Sequence, residues 1–202
     1  TASYTAPSSG KGVTVYVVDT GVLASHQDFG GRVAAGWSAI DDGRGTGDCN
    51  GHGTHVAGTV AGSVFGVAKS ATIVPVRVLD CAGAGSGSDL LAALDWVVRD
   101  HAAGTPAVLN MSLGSESVSS AVDAAVRSVI ADGVTAVVAA GNHTRDACTS
   151  SPAGVTEALT VAASDRYDQQ ASFSNFGPCV DLYAPGHKIE STWHTSTTAV
   201  MP

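Results

Sequence analysis

A continuous apolar run, Val13 to Val18 (VTVYVV), breaks off abruptly at Asp19-Thr20-Gly21. A run without polar alternation describes a strand buried on both faces, and such strands belong to parallel sheets. Four later stretches repeat the theme: Thr72 to Leu79, Ala107 to Met111, Thr135 to Ala139 and Ala158 to Val161. Helical patterns lie between them. Thr54 to Gly62 is small and apolar. Asp89 to His101 places Leu90, Leu91, Leu94, Val97 and Val98 at helical spacing, with Ser88 as candidate N-cap. Val118 to Ala131 repeats the pattern and stops at Asp132-Gly133. Alternating strands and helices predict βαβ units and a parallel sheet. With 202 residues and neither repeat nor linker, the expected organisation is one domain, residues 1–202.

Composition narrows the function classes. Apolar residues make up 44%, charged residues 14%, and glycine fills 24 positions. That balance suits a compact α/β protein with many tight turns. A net charge of −8, with no Lys/Arg cluster, disfavours nucleic acid and anionic membrane as partners. No apolar run approaches the roughly 20 residues that span a bilayer. The stretch Thr1 to Gly10 is polar and has no signal-peptide core, so a secreted protein would be in processed form.

Cysteines stand at Cys49, Cys81, Cys148 and Cys179. Four cysteines allow three pairings, among which sequence alone does not choose; two local pairs are the simplest. None sits in a C-x-x-C motif, which favours structural disulfides over zinc, and disulfides imply an oxidising compartment and secretion.

In an open parallel sheet, chemistry gathers at the carboxyl ends of strands. Asp19 sits there, and could orient a catalytic histidine, bind a ribose hydroxyl, ligate a metal or cap a turn. His52, in N-G-H-G-T-H-V-A-G, opens the small helix. A zincin needs H-E-x-x-H, and Gly53-Thr54 supplies neither the glutamate nor the spacing. A general base whose tautomer Asp19 holds is the better reading. His55, one turn on, reads as a packed, hydrogen-bonded core histidine. Asn142 ends V-V-A-A-G-N, where it is a turn residue or a donor to a developing oxyanion. Asn110 to Gly114 leaves a strand with backbone suited to pairing with an extended peptide, and Gly83-Ala84-Gly85 could supply a second such edge.

Taken in order, D-T-G, H-G-T-H-V-A-G, N-M-S-L-G and A-A-G-N resemble the subtilase family of serine endopeptidases, from about Gly10 to the last residues. S-D-R-Y-D and S-F-S-N-F-G resemble the proteinase K branch, and the cysteine spacing resembles its aqualysin-type members. The resemblance implies a three-layer subtilisin-like fold, with helices on both faces of a central, mostly parallel twisted sheet. It implies disulfides Cys49–Cys81 and Cys148–Cys179. Asp19 would orient His52, His52 would take the proton of a serine, and Asn142 would donate to the oxyanion. Ser112, Leu113 and Gly114 on one side and Gly83, Ala84 and Gly85 on the other would clamp the substrate backbone. Ala139, Ala140 and Gly141 would line the primary specificity pocket. A structural Ca²⁺ would take the carbonyls of Thr156 and Ala158 and the carboxylate of Asp181, hard oxygens that suit this cation; a strand-end carboxylate is the competing reading of Asp181. The implied protein is a secreted, extracellular monomer of broad specificity that acts on polypeptides, with a propeptide or protein inhibitor as further partner.

Two departures accompany the match. Members usually carry a further segment before the first core strand. The nucleophile belongs to G-T-S-M-A-x-P, and by family spacing it falls a few residues beyond Pro202. Ser196 lacks the flanking Gly and Met-Ala and comes too early, so it is not assigned as the nucleophile. The alternatives are a catalytically dead fragment or peptide-binding module of the same fold, and a nucleotide binder, the last weakened by the lack of G-x-G-x-x-G or Walker A.

Overall fold

The computed structural model describes residues 5–202; Thr1 to Tyr4, part of the polar N-terminal stretch, lie outside the described residues. The chain divides into two compact units. One runs up to Ala84 and takes in Glu190–Pro202; the other is Gly85–Ile189.

In the first unit, β1 (Thr14–Asp19) pairs in parallel with β3 (Thr72–Arg77), from Thr14 opposite Thr72 to Asp19 opposite Arg77. The two-residue β2 (Trp37–Ser38) adds in parallel to the other edge of β3. The run VTVYVV forms the expected strand, shifted by one residue. The strand expected to reach Leu79 stops at Arg77, and Val78 and Leu79 both turn their N–H groups onto the Asp19 carbonyl (2.9 and 3.3 Å). Helix α1 (His52–Ala61) packs Ala57 and Ala61 against Val15, Val17, Phe29 and Ile73.

Small residues let α1 come close to its neighbours. A Cβ on Gly53 would lie 2.1 Å from the Gly21 carbonyl oxygen, and one on Gly58 would lie 2.3 Å from Thr192 Oγ1. Thr192 belongs to β8 (Ser191–Thr192), which pairs antiparallel with β9 (Val200–Met201). The hydroxyls of Ser191 and Thr192 donate to the carbonyls of His55 and Thr54 on α1 (2.9 and 2.7 Å). Arg77, fully buried, offers both terminal nitrogens to Asp42 (2.9 and 2.8 Å) and holds that carboxyl well below the usual range. A disulfide joins Cys49 to Cys81.

In the second unit, β4 (Ala107–Met111), β5 (Thr135–Ala139), β6 (Leu159–Ser164) and β7 (Leu182–Pro185) lie parallel and adjacent in chain order. Helices α2 (Gly87–Asp100) and α3 (Ser120–Ala131) pack on each other, burying Ala93, Leu94 and Val97 on the first and Val122, Val126 and Val129 on the second. The N-cap of α2 is Ser86, not Ser88. Its hydroxyl accepts from Asp89 N–H (3.1 Å) and donates to the Asp89 carboxylate (2.6 Å), whereas Ser88 already lies inside a helix that starts at Gly87. Helix α3 starts at Ser120 rather than Val118, because Ser119 caps it by accepting from Val122 N–H. A second disulfide joins Cys148 to Cys179. Among the described residues, no helix is long and apolar enough to cross a membrane.

Candidate active site

Asp19 ends β1 with no exposed surface, its Oδ1 accepting from the N–H of Thr20 at 2.7 Å. Gly51, at φ 113°, turns the chain into α1 in a conformation that residues with a side chain rarely adopt, and His52 is the first helical residue. The His52 Nδ1 lies 2.7 Å from Asp19 Oδ1 and 2.9 Å from Oδ2. A carboxylate only accepts, so Nδ1 carries the hydrogen and the lone pair is on Nε2. The hydrogen bond from Asp19 raises the pKa of His52; burial opposes it, and the charges of Asp19 and Asp48 add to it. The ring is 49% exposed while its partner is wholly buried. A basic nitrogen of fixed tautomer, open to an incoming hydroxyl, can act as a general base.

Asp48 was not singled out by the sequence. Its Oδ1 accepts from Thr20 Oγ1 (3.0 Å), Asn50 N–H (2.9 Å) and Gly51 N–H (2.9 Å). Its Oδ2 accepts from the N–H and hydroxyl of Thr54 (3.0 and 2.6 Å). The available signal was an acid just ahead of a helix start, where the helix dipole favours negative charge. His55 is hydrogen-bonded, with Nε2 3.2 Å from the Met201 carbonyl and its ring edge-on to Trp193, but it is half-buried rather than in the core.

In the second unit, a cavity of about 180 Å³ brings two of the expected groups together: Ser112, Leu113 and Gly114 after β4, and Ala139, Ala140, Gly141 and Asn142 at the end of β5. Asn142 is exposed. Asn175, also missed by sequence, is fully buried and holds this segment. It donates from Nδ2 to the Ala140 carbonyl (2.8 Å), and its Oδ1 accepts from the N–H groups of His143 and Arg145 (2.9 and 3.2 Å). At the rim, His143 Nε2 meets Glu116 at 3.1 Å.

Gly83, Ala84 and Gly85 are exposed. Ala84 N–H donates to the Asp80 carboxylate (2.9 Å) and its carbonyl accepts from Asp80 N–H (2.8 Å), so this edge is partly engaged in its own turn. Asp181 and Thr160 exchange two hydrogen bonds: Thr160 N–H to Asp181 Oδ2 at 2.7 Å, and Asp181 N–H to the Thr160 carbonyl at 3.0 Å. Asp181 and Thr156 are exposed, and Ala158 is buried. The donor set of two carbonyls and one carboxylate fits a hard cation. Asp42, Cys49 and Cys81 also lie close together, but the two sulfurs are bonded to each other and Arg77 occupies the carboxylate, so this cluster fits no metal.

Residues 10–201 match the Subtilase family. Over 97% of its length the chain is 58% identical to an extracellular serine proteinase of a Thermus species, of which it covers 47%. Over 95% it is 50% identical to alkaline serine exoprotease A of Vibrio alginolyticus, of which it covers 35%. The chain therefore spans about half, or less, of the curated relatives it matches. A solved cold-adapted subtilisin-like serine proteinase superposes with a TM-score of 0.92 at 47% identity, covering 98% of this chain and 72% of that one. The α/β class expected from the alternating runs is that of this subtilisin-like fold.

Proposed function

The chain belongs to the Subtilase family, and from that premise we propose that it serves a secreted, extracellular serine endopeptidase that cleaves extended polypeptides by a Ser-His-Asp mechanism. The observation that carries this reading is the Asp19–His52 pair, a buried carboxylate 2.7 Å from the Nδ1 of a half-exposed imidazole. The nucleophile is proposed to come from beyond Pro202, since Ser196 lies in a turn closed by Ala199 N–H on its carbonyl (3.3 Å) and lacks the G-T-S-M-A surroundings.

In this mechanism His52 Nε2 takes the serine proton as the hydroxyl attacks the scissile carbonyl, and Asp19 stabilises the imidazolium. Asn142 donates to the oxyanion of the tetrahedral intermediate. The proton passes to the leaving amine, and water then releases the acyl group by the same route. Ser112, Leu113 and Gly114, with Gly83, Ala84 and Gly85, are proposed to pair with the peptide backbone. Ala139, Ala140 and Gly141 give the specificity pocket small walls that leave room for a sizeable apolar side chain. A peptide library should therefore show broad cleavage; strict selection of a charged residue before the scissile bond would overturn this.

The Thr156 and Ala158 carbonyls with Asp181 would hold a structural Ca²⁺, which would tie the start of β6 to the residue before β7. We further propose that the two units act as one catalytic domain, monomeric, with a propeptide or protein inhibitor as partner besides substrate. The decisive experiment is reaction of the full-length protein with a fluorophosphonate followed by intact-mass measurement. One adduct, lost in His52→Ala, supports the endopeptidase. No adduct, with peptide still bound, transfers the chain to the peptide-binding class.

A further inference from the structure

The first four N–H groups of an α-helix have no partner within it, and a side chain at the N-cap usually satisfies one. The N-cap of α1 is Gly51, which makes no side-chain bond, yet this is the helix that begins with His52. The carboxylate of Asp48 stands in for it. It accepts from the N–H groups of Asn50 and Gly51 with one oxygen, and from the N–H and hydroxyl of Thr54 with the other. The anion thus sits at the positive end of α1.

The same carboxylate also reaches toward Asp19. Thr20 Oγ1 donates to Asp48 Oδ1 (3.0 Å) and accepts from Gly53 N–H (2.9 Å), while Thr20 N–H donates to Asp19 Oδ1 (2.7 Å). A closed circuit results: Asp19 to Thr20, Thr20 to Asp48, Asp48 to the first turn of α1, and His52 back to Asp19. Five hydrogen bonds exceed the roughly four lone-pair sites of a carboxylate, so Asp48 is saturated and fixed from several directions. The loop is anchored on its other side by the Cys49–Cys81 bond and by Asn50 Nδ2 donating to the Cys81 carbonyl (3.1 Å).

We infer that Asp48 is a positioning residue for the Asp19–His52 pair, locking the turn after Asp19 to the helix start that carries His52. This rests on the catalytic reading of that pair, though its geometry does not. The titratable groups that face the pair are Asp48 and His194, whose ring lies over Gly51; His55 stands one turn along α1, and the Arg77–Asp42 pair reaches this loop through Cys49 Sγ at 3.4 Å. After Asp19, the charge of Asp48 also favours the protonated ring.

The test uses Asp48→Asn and Thr20→Val in the full-length protein, with Thr20→Ser as rescue. Two quantities are read: the imidazole titration of His52 by NMR, and the pH profiles of kcat and KM on a peptide substrate. Asp48→Asn should lower kcat by about 10²-fold, the cost of a misplaced catalytic group. KM should stay within about twofold, and the His52 titration and the acid limb of kcat/KM should both move to lower pH. Thr20→Val should lower kcat without moving the titration, because the charge of Asp48 remains, and Thr20→Ser should restore it. A loss of activity in Asp48→Asn with an unmoved titration would reduce Asp48 to a folding residue and overturn the inference, as would unchanged kcat in both variants. If the unmodified protein cleaves nothing while the titration still moves in Asp48→Asn, positioning stands and the peptidase reading falls.

Discussion

At His52, one imidazole meets two environments: Nδ1 lies against a carboxylate with no exposed surface, while the ring as a whole is 49% exposed. Only the neutral ring can accept a proton, and Asp19 raises the ring's pKa, so activity should be lost as pH falls through a value above the ordinary 6.5. Asp19→Asn should lower kcat on the order of 10⁴-fold by releasing the tautomer, with the acid limb moving down toward the ordinary value and the fold kept. A pH–rate profile of the variant checks this; an unmoved limb would separate the carboxylate from the base. Asp19 and His52 were singled out because D-T-G after a buried strand and H-G-T-H-V-A-G at a helix start stand in order with the later motifs, whereas Asp19 alone left four readings open. Asp48 and Asn175 were not. They work mainly through backbone N–H and carbonyl groups, which every residue has and which leave no mark in sequence.

Elements were readable where burial wrote a long pattern. VTVYVV and the apolar stripes of α2 and α3 are of that kind, whereas β2, β8 and β9 have only two residues each and β7 is largely exposed. Both Ser86 and Ser88 could cap α2, and only the position of Asp89 N–H decides between them. The ends of α2 and α3 carry a pH-dependent contact that no pattern announced. His101 is buried just past α2, with Nδ1 2.7 Å from Asp132 Oδ2 beyond α3 and Nε2 3.0 Å from the Thr105 carbonyl. Both partners only accept, so both nitrogens must carry hydrogen. The Thr105 carbonyl and then Asp132 raise the pKa of His101 against the effect of burial. The contribution is therefore complete below the unfolded value of about 6.5 and lost as pH rises through the higher folded value. Thermal melts should show the Gly85–Ile189 unit weakening across that interval, and His101→Gln should remove the dependence. A wild-type melting temperature flat over the same range would exclude the doubly protonated ring.

For the molecule as a whole, each unit is closed by its own disulfide, across sequence separations of 32 and 31 residues. Each should contribute about 3 kcal/mol in the chain-entropy account, or roughly 6–12 °C of melting temperature at this chain length. Reduction should produce a fall of that order, and replacing Cys148 and Cys179 with serine should weaken the second unit first. A chelator should lower the melting temperature independently of the reductant; an unchanged value would remove Ca²⁺ from the reading of Thr156, Ala158 and Asp181.

The pairing of β8 with α1 governs the order in which the protein can be finished. A polypeptide leaving the ribosome presents α1 early, but the hydroxyls of Ser191 and Thr192 that fill its Gly58 face follow only after the whole of the Gly85–Ile189 unit. The unit Gly85–Ile189 is one uninterrupted stretch, complete before that moment, and the unit that carries Asp19 and His52 is not. The helix that bears the proposed base is thus seated after the Gly85–Ile189 unit is complete. Pulsed hydrogen exchange during refolding should show α1 amides protected after those of β5 and α3, and the reverse order would refute it. A chain built this way holds its Asp19–His52 pair open until the intervening unit has been made.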